Sequence, residues 1–267
     1  MSFSADWLAL REPHDKRARN VAVLDALANS LAGTNPIRIV DLACGTGSTL
    51  RALSPRIQAT QHWRLVDNNL SLLARISAPS SSRVSFTTTP LDLQFDLEAA
   101  LDGPVDLVTA SALLDLVSEV WVERLTTEIA ARAIPMYAAL SYDGCAEISP
   151  ADPHDAAIMQ SLNKHQRGDK GFGPALGPDA AGKAIVRFQS LGYSVVQGPA
   201  DWRFAPEDRE IQAEIFSGWA SAAREVGDLP LANIVEWLTF RRDEVAAGRS
   251  SLVVGHVDFF AAPATTR

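Results

Sequence analysis

The sequence predicts an α/β fold, a doubly wound and mostly parallel sheet of seven strands with helical insertions. Three observations carry that reading. Through the first half of the chain, short β-like runs bounded by turn residues alternate with segments of helical period, the rhythm of a parallel sheet with helices on both faces. The apolar run IRIV at 37–40 leads straight into the glycine turn DLACGTG at 41–47, and a strand that ends in such a turn and opens a helix is the usual nucleotide-binding edge of this architecture. A long final run, SLVVGHVDFFAA at 251–262, reads as an antiparallel strand that closes the sheet as part of a hairpin.

The remaining strands fall at 62–67 (HWRLVD), 83–89 (RVSFTTT), 104–111 (PVDLVTAS), 134–142 (IPMYAALSY) and 193–197 (YSVVQ). Leu24, Leu27 and Leu31 stripe a first helix that ends near Gly33, after the polar stretch REPHDKRARN. A short helix is expected at 70–76 and a longer one at 93–101. Another spans 118–133, with Val122, Leu125 and Ile129 on one stripe and Ser118 as its N-cap. Past Gly144 the rhythm breaks into a short helical pattern around 156–163 and a Gly/Pro/charge-rich loop at 168–177. Helical period returns at 183–191. Pro206 then sits where a first helical turn tolerates proline, ahead of two helices. One carries Ile211, Ile215, Trp219, Ala222 and Val226 on one face; the other carries Ile234, Leu238, Arg241 and Val245 in a row before Gly248. The organisation expected is one domain over 1–267, with an N-terminal helical cap at 1–33 and acceptor-binding insertions at 144–177 and 206–248.

Composition excludes several partners. The 267 residues are 47% hydrophobic and 21% charged, with a formal net charge of −8. That balance opposes the large basic surface a nucleic-acid partner needs. No stretch is long and apolar enough to span a bilayer, and the N-terminus lacks a signal-peptide pattern. Two cysteines, Cys44 and Cys145, are too few for a disulfide framework, so a cytoplasmic location is expected. Tryptophans and phenylalanines on the late helices read either as a homodimer face or as core. No His/Cys/Asp cluster has ligand spacing, and no metal is expected.

The glycine turn has three candidate ligand classes. A dinucleotide fingerprint would run from Gly45 to Leu50, and Leu50 fails where a small residue must let the helix pack closely. A phosphate-loop match at GPDAAGKA (177–184) puts Ala184 where a magnesium-binding hydroxyl belongs and has no strand before it. The third class accounts for more. DLACGTG resembles motif I of the class I S-adenosylmethionine-dependent methyltransferases, with Ala43 in place of the first glycine. The resemblance covers about residues 37–142 and implies a Rossmann-like methyltransferase fold with S-adenosyl-L-methionine as cofactor and S-adenosyl-L-homocysteine as product. It implies that Gly45 and Gly47 let backbone approach the methionine part while Asp41 supports the turn and the ammonium end. Asp67, closing HWRLVD, would accept both ribose hydroxyls with Asn68 at the adenosine edge; Asp92 would accept from the adenine amino group beside Leu93. Ser111 and Ala112 would line the cofactor floor.

Methyl transfer from a sulfonium asks the protein to orient the acceptor, exclude water and sometimes remove a proton. The segment TASALL after the fourth strand lacks the Asn/Asp-Pro-Pro-aromatic motif of enzymes acting on base amines or glutamine amides. A small-molecule acceptor is therefore favoured. Tyr142 at the end of the fifth strand and His165 in NKHQRG are the candidate catalytic groups, Tyr142 to position an acceptor and His165 as a base. Arg19, with Arg17, is the candidate partner of the cofactor carboxylate. Two alternatives remain open at this point: a non-catalytic S-adenosylmethionine-binding sensor or scaffold subunit, and another transferase on the same fold, such as one moving an aminopropyl group.

Overall fold

Apolar runs form the middle of the sheet. The computed structural model describes residues 3–77 and 81–264, and its strands are β1 (Ile37–Leu42), β2 (Gln61–Asp67), β3 (Val84–Pro90), β4 (Leu107–Ser111), β5 (Met136–Ser149), β6 (Tyr193–Pro199), β7 (Trp202–Phe204) and β8 (Ser251–Pro263). They lie in the order β3-β2-β1-β4-β5-β8-β6, with β7 paired to β8 off that path. β3, β2, β1, β4 and β5 are mutually parallel, whereas β8 runs antiparallel to β5, β6 and β7. The order reverses between β1 and β4, the topological switch point where such sheets bind ligands.

The helices are α1 (Ala5–Ala18), α2 (Val21–Ser30), α3 (Ser48–Leu53), α4 (Leu70–Leu73), α5 (Leu97–Ala100), α6 (Glu119–Ala131), α7 (Asp155–Gln166), α8 (Ala180–Ser190), α9 (Arg209–Val226) and α10 (Leu231–Ala246). Two cores cover the two faces of the sheet. One joins β1, β4 and β5 to α6 and α8 through Val108, Leu125, Ile129, Met136 and Phe188. The other joins them to α2 and α3 through Leu27, Ile39, Leu50, Trp63 and Tyr137. A third core lies along the second half of β5, where α7, α9 and α10 pack on β5, β7 and β8.

Five sequence expectations change. The polar stretch before Leu24 is part of a helix, α1, whose buried positions are Arg11 and Asp15. Their Nε–Oδ2 ion pair of 2.9 Å at i, i+4 replaces an apolar face, so no hydrophobic period marks it. The helix expected at 93–101 shrinks to α5: Asp92 Oδ1 accepts Gln94 N–H in a turn, and α5 begins only after Asp96, whose backbone carbonyl accepts Ala100 N–H. β5 does not stop at 142. It continues to Ser149 across a register shift at Gly144, whose φ of +88° marks a bulge. The eighth strand, β7, is only three residues long, and Pro206 lies in the turn before α9 rather than in its first turn.

The late-helix aromatics are interior or, at Phe240, half-buried. Phe216, Trp219 and Trp237 all belong to the third core, and Arg241, placed in a hydrophobic row by its spacing, is fully buried there.

Candidate functional site

A cavity of about 280 Å³ opens at the carboxyl edge of β1, β2 and β4. Its walls are the turn after β1, residues 67–69, residues 91–94, residues 111–113, part of α1, and residues 170–172 of the loop between α7 and α8. Most of the sequence-predicted cofactor residues therefore meet in one place: Ala43, Gly45, Asp67, Asn68, Asp92, Leu93, Ser111 and Ala112 all line it. Gly47, Asp41, Arg19, Tyr142 and His165 do not.

The turn is tied directly to the acid of the second strand. Gly45 N–H donates to Asp67 Oδ2 at 2.9 Å, and Asn69 N–H donates to Oδ1 at 2.9 Å. Asp67 is thus held at the strand end with lone pairs to spare on both oxygens. Gly45 and Gly47 have φ of +55° and +83°, and a Cβ on Gly45 would come 3.2 Å from Leu8 Cδ1 of α1. Ala43 also has positive φ, +52°. Size alone makes it a mild replacement for glycine, but a side chain in the left-handed region costs about 1–2 kcal/mol. Ala112, across the cavity at the end of β4, has φ of +51°, so the strain sits on both strands of the switch point.

Asp41 lies beneath the turn. It is fully buried; Oδ1 accepts from Thr109 Oγ1 at 2.7 Å, and Oδ2 has no hydrogen-bond partner. Burial pushes its carboxyl up to about 7, against the pull of Thr109 and Arg19. Because the folded value lies above the unfolded one, the stability gained by keeping Asp41 protonated is complete near pH 4 and is lost as pH rises through about 7. Asp41→Asn is expected to remove that part of the pH dependence, so that denaturant midpoints at pH 4 and pH 8 differ less in the variant than in the wild type. An identical pH profile in the two proteins would contradict the burial of the charge.

Arg19 is redirected by the structure. Its Nη1 donates to Tyr137 Oη at 3.1 Å and its Nη2 to Ser111 Oγ at 3.3 Å. Tyr137 in turn donates to Asp258 Oδ2, whose carboxylate also accepts the N–H groups of Asn20 and Leu140. Burial would lower Arg19, and Tyr137 and Asp258 outweigh it to hold the guanidinium charged. Arg19 is therefore a brace beneath the floor that reaches the main cavity only through Ser111. It faces a separate small cavity of about 160 Å³ beside Ser48 and Arg51. Arg17 is on the outside, 2.7 Å from His14.

The α1 cation that does line the main cavity is Arg11, which the sequence reading missed. Its Nε is fixed by Asp15, whose other oxygen accepts Trp202 Nε1–H at 2.9 Å, and the guanidinium lies 5.1 Å from the Trp202 ring centroid. Among the described residues neither of its Nη nitrogens has a hydrogen-bond acceptor. The side chain is buried and pre-oriented, with its two-pronged end left for an anionic group.

The two candidate catalytic residues are placed away from the cavity. Tyr142 is buried and its hydroxyl donates to Asn163 Oδ1 at 2.9 Å; burial drives its ionisation well above the ordinary tyrosine range. His165 sits behind the cavity wall, with Nε2 3.0 Å from Glu225 Oε2 and Nδ1 3.3 Å from Nζ of Lys170, which is itself a lining residue. None of residues 206–248 lines the cavity, and of 144–177 only 170–172 do. Burial pushes the Cys44 thiol far up, so it stays protonated. His256 is also buried and held down to about 3, first by desolvation and then by Arg11. Among the described residues no group of three or more His, Cys, Asp or Glu could hold a metal ion.

No protein-family model matches the chain, and no curated protein matches it. Solved structures do. A cyclopropane-fatty-acyl-phospholipid synthase-like protein from Lactobacillus casei is similar over 97% of this chain and 94% of its own, at 12% identity and a TM-score of 0.55. A type II methyltransferase candidate from Anaeromyxobacter dehalogenans covers 89% and 95%, at 17% identity and 0.51. A mycolic acid cyclopropane synthase, solved with S-adenosylhomocysteine, covers 97% and 94%, at 14% and 0.50. The architecture is therefore the class I methyltransferase fold, a Rossmann-like mixed α/β sheet. Within it, the S-adenosylmethionine-dependent enzymes are the group this chain is similar to.

Proposed function

We propose that this chain is a methyltransferase that transfers the methyl group of S-adenosyl-L-methionine to a small-molecule acceptor. The observation that carries the reading is the Gly45–Asp67 hydrogen bond, because it locks a glycine turn and a ribose-accepting carboxylate into one unit at the switch point of the sheet. The donor set suits the cofactor. Asp67 keeps acceptor capacity for both ribose hydroxyls, and Asn68 lies beside it. Asp92 uses Oδ1 on Gln94 N–H and keeps Oδ2 for an adenine amine, next to the apolar wall of Leu91 and Leu93. Trp121 Nε1–H fixes the Leu93 carbonyl at 2.7 Å and carries Phe172 edge-on at 5.5 Å, which closes that side of the cavity. Arg11, in place of Arg19, receives the carboxylate of the amino-acid end, near Gly45, Ser111 and Ala112.

The cofactor supplies an electrophilic methyl group on a sulfonium; the chain binds, aligns and keeps out water. In this reading 1–267 is one domain, 1–33 caps the cavity, and 144–177 and 206–248 serve the acceptor side, the latter by supporting the former through α9. The acidic net charge supports a small acceptor over nucleic acid. Among the described residues no helix is long and apolar enough to cross a membrane. The free cysteines, Cys44 and Cys145, suit a cytoplasmic setting.

Calorimetric titration with S-adenosylmethionine, NAD and ATP tests the cofactor, and S-adenosylhomocysteine release with a metabolite extract tests the reaction. Saturable S-adenosylmethionine binding with steady release is the expected result. Binding without release would favour a sensor or scaffold, and binding of NAD alone would overturn the proposal.

A further inference from the structure

The second inference rests on the methyltransferase reading above. We propose that Lys170 is the catalytic base that takes the acceptor's proton, and that His165 and Glu225 carry this proton from the cavity to solvent. The acceptor would then be a protic nucleophile, an O–H or N–H group that must lose its proton as the methyl group arrives.

The chain has four lysines, Lys16, Lys164, Lys170 and Lys183, and of these Lys170 lines the main cavity. Its loop is anchored on both sides. Asp169 Oδ1 accepts the N–H groups of Gly171 and Gly173 at 2.7 and 3.1 Å; Phe172 packs on Trp121; and Ala175 bridges to Ser118. Behind it runs a continuous hydrogen-bonded line, Lys170 Nζ to His165 Nδ1 at 3.3 Å and His165 Nε2 to Glu225 Oε2 at 3.0 Å. The line spans three elements and leads outward: the His165 side chain is 18% exposed and that of Glu225 59%. Neighbouring charges are engaged elsewhere, Lys164 with Asp228 and Arg167 with Asp179. Burial lowers the Lys170 ammonium from its ordinary range, while Glu225 on α9 and Asp169 on its own loop pull the other way. The step needs the neutral amine, and the lowering by burial favours that form.

The step balances without any further reactant. Neutral Lys170 Nζ accepts the proton of the acceptor's O–H or N–H, whose electron pair forms the new bond to the methyl carbon. The S–C bond breaks with its pair staying on sulfur, so the positive charge of the sulfonium ends on Lys170 as ammonium. Lys170 passes a proton to His165 Nδ1, the Nε2 proton moves to Glu225, and Glu225 exchanges it with water. His165 and Glu225 act through Lys170 and are positioning residues.

Acetylation by an amine-reactive ester, followed by peptide mass spectrometry as a function of pH, reads Lys170 against Lys16 and Lys183 in the same sample. Lys170 is expected to reach half-maximal reactivity at a lower pH than both. In His165→Leu that midpoint should fall further, because the ammonium loses its acceptor. In the release assay with a metabolite extract, Lys170→Met and Lys170→Arg should both lose about a hundred-fold or more in rate, the low end for a lost general base, with S-adenosylmethionine affinity unchanged within about two-fold. Arginine keeps the charge and cannot give up its proton. Turnover retained in Lys170→Arg, or ordinary Lys170 reactivity, would overturn the relay alone. Absence of S-adenosylmethionine binding by the wild type would instead bring down the methyltransferase reading itself.

Discussion

Asp67→Ala is expected to weaken S-adenosylmethionine binding by roughly 1.5–3 kcal/mol, about 10- to 150-fold in Kd, the range for a lost charge-assisted hydrogen bond. Two effects add. The carboxylate that would accept the ribose hydroxyls disappears, and the N–H groups of Gly45 and Asn69 lose the acceptor that holds the turn against β2. Adenosine alone should lose about as much as the full cofactor, because the deficit belongs to the ribose and the turn rather than to the amino-acid end. Asp67→Asn should fall between, since one side-chain oxygen still accepts while the other is replaced by a donor. Calorimetry on the three proteins with both ligands checks the ordering. Equal affinities for wild type and Asp67→Ala would mean that the nucleoside lies elsewhere.

What the sequence made legible follows from which forces leave a periodic trace. β1 and β4 were visible because buried parallel strands are largely apolar, β2 because Trp63, Leu65 and Val66 are buried positions of a short run bounded by polar residues, and α6 because Ser118 caps it and its stripe faces the core. The acids at 67 and 92 could be found because they follow strand ends in a fixed order, and the cavity brings both together. α1 was not legible, since its buried side chains are an ion pair and it carries Pro13 within the helix. Arg11 went with it. Arg19 was read as the carboxylate partner from its place beside the first hydrophobic stripe, and nothing in the sequence shows that Tyr137 and Ser111 accept its hydrogen bonds. Lys170 reaches the cavity only because the packing of α7, α9 and Trp121 sets the path of its loop. Contacts between residues that far apart in sequence leave no local pattern, which is why His165 was visible as a candidate base but not as the group standing behind another.

The largest stability effect is expected at a position with no part in the cavity. Arg241 on α10 has a fully buried side chain, and its Nη2 donates to both oxygens of Asp155 on α7 at 2.6 Å, while Nη1 donates to Pro150 O at 2.6 Å. Phe216, Trp237 and Phe240 surround the guanidinium at 5.1–5.9 Å. Asp155 also accepts Trp237 Nε1–H and Asp152 N–H. Asp155→Ala leaves a buried cation and an indole N–H without their acceptor, a loss of about 3–5 kcal/mol that should lower Tm on the order of 10 °C. Neutral packing should restore part of this: Arg241→Met with Asp155→Leu removes the charge together with its partner, an exchange often close to neutral, while Trp237 Nε1–H and the Pro150 carbonyl stay without their partners. A double-mutant cycle followed by denaturant unfolding measures the coupling. Because α7 carries His165 and α9 packs between α7 and α10, the single variant should also loosen the wall behind Lys170 while leaving the Asp67 turn intact. Binding of S-adenosylmethionine at 15 °C should therefore stay within about two-fold of wild type, as for sites remote from each other. A single variant as stable as the wild type would show that apolar contacts alone hold these three helices, and that the ion pair adds only its geometry.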